Sequence, residues 1–314
     1  MASESNLARL LTVCLILAST AGCSKKAPSA PQATAQGPLR VYAVNYPLSY
    51  FATRLAPSDV EVRLPVPESV DPAYWRPSAD IIAEYQAASV ILLNGAGYAG
   101  WTRYATLPRA KTLVTAQGCR EAFLPSGENV EHRHGPGGAH THADTAFTTW
   151  LDLRLAVCQA AHVRDALSML SPGEQKAIEA RFAALEQDLL SLDERLRGVA
   201  KRLVGQPLLA SHPVYQYLAD AYELSIESLH FEPDQALDAE ALADLDARLD
   251  ARPASWMLWE ASPLPSTERE LQDRRIQVVV FEPLAQPPRE GDFLEAMRNN
   301  VARLACAAGA EACP

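Results

Sequence analysis

Apolar side chains recur at Ile178, Phe182, Leu185, Leu189, Leu192, Leu196, Val199 and Leu203. Their alternating steps of four and three line one face of a helix. Ser171-Pro172-Gly173-Glu174 precedes the run. There a serine cap, an early proline and a glutamate three residues on would satisfy or remove the amide donors that a helix start leaves unpaired. Nothing breaks the pattern before Gly205-Gln206-Pro207, so it predicts one helix over residues 171–203, roughly 45–50 Å long at ~1.5 Å per residue. Heptad-like spacing also fits a coiled coil. Strand-like runs on both sides favour a strut between two α/β lobes instead.

Before that helix, residues 39–44, 60–66 and 90–93 read as strands, being β-branched and apolar or alternating. Residues 45–48 read as a turn, 50–55 as a short helix, and 68–81 as a loop leading into another. After it come an apolar strand ending at His212, short strands at 224–226, 256–260 and 276–281, and helices at 215–222, 238–249, 266–274 and 292–307. The helical stripes, such as Phe293, Met297, Val301 and Leu304, are spaced for packing against a core. Strands alternating with helices predict parallel sheets, whose ligands gather at the carboxyl ends of the strands.

The 314 residues are 48% hydrophobic and 21% charged, ordinary composition with room for two domains. A formal net charge of −10 argues against nucleic acid as a partner and suits cations. Arg9, an apolar run over 10–18 and Ser19-Thr20-Ala21-Gly22-Cys23 read as a secretory signal, too short to span a bilayer as a mature helix. The small residues before Cys23 resemble a bacterial lipobox, which implies lipidation of Cys23. Plain secretion is the alternative. Residues 24–38, rich in Ala, Pro, Gln and Ser, form a flexible tether. The expected location is therefore periplasmic or extracytoplasmic, with membrane contact through a lipid anchor. Four cysteines remain in the folded part, Cys119, Cys158, Cys306 and Cys313. An exported chain with an even number suggests disulfides, with three pairings open; one bridge per lobe, Cys119–Cys158 and Cys306–Cys313, is favoured. No nucleophile elbow, phosphate loop, zincin helix or dinucleotide fingerprint occurs, so the chain is not expected to be an enzyme.

Tyr46-Pro47-Leu48, then Asp71-Pro72 followed by Trp75, Pro77 and Asp80-Ile81, then Asn94-Gly95 with Trp101, Trp150-Leu151-Asp152, Ser211-His212-Pro213 and Phe281-Glu282-Pro283 carry a resemblance. In that order they resemble the solute-binding lipoproteins of zinc/manganese ABC importers. The resemblance implies an α/β fold of two Rossmann-like lobes bridged by one long rigid α-helix, with the ligand cleft between the lobes. The expected division is a signal peptide over 1–23, a tether over 24–38, a first lobe over 39–170, the linking helix over 171–203 and a second lobe over 204–314. The implied partners are an ABC permease and its ATPase, met by a monomer.

The family places a histidine after the Asp-Pro, another two residues before Trp-Leu-Asp, a third early in the second lobe and a carboxylate near the end. Here those positions hold Ala73, Thr148, His212 and Glu282, so two of the four donors are altered. A loop over 131–142 carries His132, His134, His140 and His142, where zinc-type members of the family have a histidine-rich loop. Glu68, Asp71, Tyr74 and Glu260 are further oxygen donors expected near the cleft, while His162 and His230 read as structural. Imidazole suits Zn²⁺ and oxygen donors suit Mn²⁺, so Zn²⁺ is the expected cargo and Mn²⁺ the alternative. Competing readings are a loop-based metal collector or chaperone, a cleft that takes a non-metal ligand against Tyr74 and Trp75, and an extracellular metallohydrolase. The last would need an open coordination position and a general base.

Overall fold

The computed structural model describes residues 38–310 except 69, 127–130, 134–138 and 142–144, and only the backbone of 131–133 and 139–141. The chain opens with β1 (Leu39–Ala43), α1 (Tyr46–Leu55) and β2 (Val60–Arg63), then α2 (Ala79–Ala87), β3 (Val90–Leu93) and the short β4 (Thr112–Val114). These strands make a parallel sheet in the order β2-β1-β3-β4. The Asn45–Leu48 stretch expected as a turn is the start of α1. The Asn45 side chain accepts from the Leu48 amide, and Pro47 occupies the first turn, where its missing N–H costs nothing.

A two-stranded antiparallel hairpin, β5 (Glu131–Arg133) and β6 (Ala139–Thr141), follows. Next comes α3 (Leu153–Leu170), a helix the sequence reading did not assign, capped by the Asp152 side chain on the amides of Arg154 and Leu155. Its buried face includes Ala156 and Ala160, which dilute the apolar stripe that would have marked it. The long helix α4 (Gln175–Ala200) spans 26 residues. It is shorter than expected because Pro172–Glu174 form a 3-10 turn and Ser171 makes no side-chain cap. Ser171 closes α3 instead, its amide donating to the Leu167 carbonyl at 2.8 Å, so the chain reverses where the capping box was expected. α3 and α4 thus form a helical hairpin, and α4, its longer arm, links the lobes.

The second lobe contains β7 (Pro207–Ala210), α5 (Gln216–Tyr222), β8 (Ser225–Ser228), α6 (Ala239–Ala251), β9 (Trp256–Trp259), α7 (Pro265–Asp273), β10 (Gln277–Val280) and α8 (Phe293–Ala307). Its strands form a second parallel sheet in the order β10-β9-β7-β8. Asp238 caps α6 and Asp292 caps α8. None of the described helices is long and apolar enough to cross a membrane.

The apolar face of α4 is buried from Ile178 to Val199. It belongs to one continuous core that includes Phe51 of α1, Leu167 of α3, Leu218 of α5 and Phe293 of α8, so both lobes pack on it. Asp193 lies among these residues, 1% exposed. Its carboxylate accepts from Arg154 of α3 at 3.1 Å, Arg197 at 2.9 Å and the Tyr222 hydroxyl of α5 at 2.9 Å. Burial pushes this carboxyl up, but the bonds from Arg197, Arg154 and Tyr222 outweigh it and hold the group below its usual range. A carboxyl depressed in the folded state stabilises above its unfolded pKa, and that contribution fades as pH falls through the folded value.

Asp193→Asn is therefore expected to lower the unfolding free energy by about 1.5–3 kcal/mol at pH 7, the usual worth of hydrogen bonds to a charged group. The difference from the parent should shrink below about pH 4. Denaturant titrations at pH 7 and pH 3.5 check this; a gap that is equal at both values would contradict it.

Candidate metal centre

The two sheets meet through their loops. The Trp150 indole donates to the Pro283 carbonyl at 2.6 Å, the Thr148 hydroxyl to the Val214 carbonyl at 2.5 Å, and the Tyr46 amide to the Ala285 carbonyl at 2.9 Å. The Gln286 amide reaches the carbonyls of Pro67 and Val70 at 2.8 and 2.6 Å. Tyr98 stacks edge-on between Phe147 and Trp150, and Phe147 meets Tyr74 in turn, so an aromatic row lines the first-lobe side. The loop that carries Tyr98 starts at Gly95, whose φ of +97° and approach to Val114 leave no room for a larger residue. Beneath the row, the buried Asn94 carbonyl oxygen accepts from Asn45, Thr149 and Gln159. This network fixes the ends of β1 and β3.

On the second lobe the chemistry collects at the carboxyl ends of the strands. His212 follows β7 and is 5% exposed. Its ring meets that of His230 edge-on at 5.9 Å, and its Nδ1 lies 3.9 Å from a carboxylate oxygen of Glu232. His230 and Glu232 both follow β8, the hydrogen-bonded neighbour of β7. Glu260 follows β9 and Glu282 follows β10. The Tyr74 phenol is pushed up by burial and then by the charges of Asp71, Glu260 and Glu232. Those three carboxylates from two lobes thus act on one hydroxyl.

The altered family positions are both filled. Ala73 is 6% exposed and Thr148 3%. The Ala73 amide donates to the Asp71 carboxylate at 2.8 Å, and Thr148 is tied to Val214. Glu282 stands where expected in the chain, but its carboxylate is paired with Arg303 of α8 at 3.1 Å. Its backbone N–H donates to the Asn300 side-chain carbonyl, whose amide donates back to the Glu282 carbonyl. Glu68 is exposed. In the hairpin, His132 and His140 are register partners; their side chains, and His134 and His142 entirely, lie outside the described residues. So do Cys23 and Cys313. Cys119 and Cys158 are joined by a disulfide, and Cys306 is disulfide-bonded as well.

Among the described residues, no third imidazole, thiol or carboxylate donor lies within 4.8 Å of both His212 and Glu232. His230 comes nearest as a ring neighbour. The sequence reading had set His230 aside and passed over Glu232. The only signal was a His-x-Glu two residues past a strand, and it gains meaning only once β8 is seen beside β7.

A family profile described as zinc-uptake complex component A periplasmic, ZnuA, matches residues 41–307. The chain belongs to the ZnuA family. It is 25% identical over 284 residues to the zinc-binding lipoprotein AdcA of Streptococcus pneumoniae, a match covering 87% of this chain and 56% of that relative. The chain thus spans little more than half the length of AdcA. Against the high-affinity zinc uptake system protein ZnuA of Bacillus subtilis it is 25% identical over 240 residues, covering 75% of this chain and 74% of the other. The Zn(II)-bound ZnuA-like domain of Streptococcus pneumoniae AdcA superposes with a TM-score of 0.73 at 21% identity, covering 87% of this chain and all of that one. The two-lobe α/β architecture is therefore that of ZnuA-type solute-binding proteins.

The Thr148 hydroxyl ties the two lobes through the Val214 carbonyl. Thr148→Val is expected to cost about 1 kcal/mol of unfolding free energy, the usual worth of one hydrogen bond, and to leave metal stoichiometry unchanged. Thermal unfolding with parallel metal analysis checks both; a lost equivalent of metal would make Thr148 a ligand.

Proposed function

We propose that this protein is the extracytoplasmic solute-binding component of a zinc ABC import system, capturing the ion and passing it to a membrane permease driven by its ATPase. The observation that carries the reading is the pairing of buried His212 with Glu232 at 3.9 Å, beside the ring of His230. Two imidazoles and a carboxylate form a zinc donor set. All three follow adjacent strands of one parallel sheet, at the end where such sheets bind ligands. Donor atoms around a tetrahedral zinc stand roughly 3.3–3.6 Å apart, so closing the set requires the side chains of Glu232 and His230 to turn toward His212.

The second lobe holds the ion in this reading, and the first lobe covers it. Neither Ala73 nor Thr148 offers a donor that the ion could use. Asp71 and Glu260 supply negative field from the rim, Tyr74 offers a neutral phenol oxygen, and Glu282 joins only by exchanging Arg303 for the ion. The paired imidazoles favour Zn²⁺ over Mn²⁺. His132, His134, His140 and His142 deliver a fourth donor or raise the local zinc concentration. Lipidation of Cys23 followed by the tether holds the folded part at the outer face of the membrane.

Calorimetry on the full chain is expected to show one tightly bound Zn²⁺. His212→Ala should weaken it at least 100-fold, and His230→Ala and Glu232→Gln at least tenfold each. Removing residues 131–142 should weaken it to a smaller extent. Because zinc displaces protons from imidazole, affinity should fall steeply below about pH 6. Unchanged binding in His212→Ala would place the ion outside the cleft.

Restoring the lost donors provides a second check. Ala73→His combined with Thr148→His is expected to tighten zinc binding if the first-lobe positions still face the ion, read by competition with a chelating dye. Equal or weaker affinity would mean that the cleft has closed over those positions.

A further inference from the structure

Cys119, Cys158 and His162 place one potential ligand atom each within 4.8 Å of one another. All three are half-buried, and they belong to the first lobe, independent of the donors assigned to the cargo. Cys158 and His162 stand one turn apart on α3, the i, i+4 spacing by which a helix presents two ligands to one ion. Cys119 sits in the turn after β4, with its Cα 5.8 Å from that of Cys158. His162 Nδ1 lies 3.8 Å from the Cys119 sulfur and 2.7 Å from the Thr115 carbonyl oxygen, to which it donates. The imidazole also lines a cavity of about 630 Å³ beside β4, together with Gln117, Thr112 and Arg109. That cavity gives the group a route for solvent and ions.

We propose that these three residues form a second, redox-gated zinc site. Oxidised, the pair is a disulfide and binds nothing. A dithiol supplies two electrons and two protons, cleaves the sulfur–sulfur bond to two thiols and leaves as its own disulfide; a phosphine supplies the two electrons, while water supplies the two protons and the oxygen of the phosphine oxide. Zinc then takes both sulfurs as thiolates and releases the two protons. Zinc–sulfur and zinc–nitrogen bonds of about 2.3 and 2.0 Å put a sulfur and a nitrogen about 3.5 Å apart in a tetrahedron, close to the 3.8 Å already present. The side chains of the two cysteines and of His162 have to turn, while the backbone can stay, because the Cα separation of the cysteines suits both states. Taking the metal through Nδ1 costs His162 its bond to Thr115. The fourth position stays open toward the cavity for water, so the bound ion remains exchangeable. The protein would hold one zinc when oxidised and two when reduced.

Cobalt(II) titration of the full chain before and after phosphine reduction tests this. The expected result is a thiolate-to-cobalt charge-transfer band, one equivalent per chain, in the reduced protein alone. It should vanish in Cys119→Ser and in Cys158→Ser, weaken at least tenfold in His162→Gln, and persist in both Cys306→Ser and His212→Ala. Persistence in His212→Ala separates this site from the cleft, whose failure to bind would leave the band untouched. Circular dichroism of each reduced variant reports folding, and His162→Gln keeps both cysteines should a serine variant unfold. No band after reduction, a band that survives Cys158→Ser, or reduced protein that loses its fold before taking the ion would each overturn the proposal.

Discussion

The structure depends on a junction that is bonded and packed at once. Trp150 is wholly buried and donates across it to Pro283, while Thr148 reaches Val214 and Tyr46 reaches Ala285. Behind these bonds, α4 presents one unbroken apolar face to helices of both lobes, and Asp193 ties α3, α4 and α5 through a single carboxylate. Opening the lobes would expose that face and leave a buried charge without its partners. A large hinge motion is therefore costly, and in the function proposed exchange of the ion falls to side chains and loops at the rim.

The resemblance implies ligands at the positions of Ala73 and Thr148, and that constraint holds the fold together without them. Thr148 makes a cross-lobe hydrogen bond, and Ala73 packs beneath an Asp71-stabilised turn. The first lobe presents a row of aromatic rings on a bonded frame. The second lobe keeps the imidazoles and carboxylates, aligned by the carboxyl ends of β7 and β8. In the function proposed, specificity for a borderline-soft ion comes from His212 and His230. The surrounding carboxylates favour a cation in general and do little to choose among cations.

Much of the architecture was legible because periodicity reports it directly. The strands at β1, β3, β9 and β10 and the helices α6 and α8 announce themselves by apolar runs, stripes and aspartate caps. The long helix was legible along its length but not at its start: Ser171 looks like an N-cap in sequence, yet it ends α3. The Asn45–Leu48 stretch misled in the opposite sense, since Asn-x-Pro suits a turn and a capped helix start equally. Three-residue β4 and alanine-rich α3 carry too weak a pattern to stand out. The site was legible only in part. Motif order located His212 and Glu282 in the chain, but no local signal says that Arg303 pairs with Glu282. Nor does any say that His230 and Glu232 come beside His212; that proximity is a property of strand order in the sheet.

The most direct test is the position of the anomalous scattering peak in crystals of the oxidised full chain loaded with zinc. The account predicts one strong peak within bonding distance of His212, His230 and Glu232, beneath Tyr74. A peak held by the 131–142 loop alone, with His212 out of reach, would contradict it.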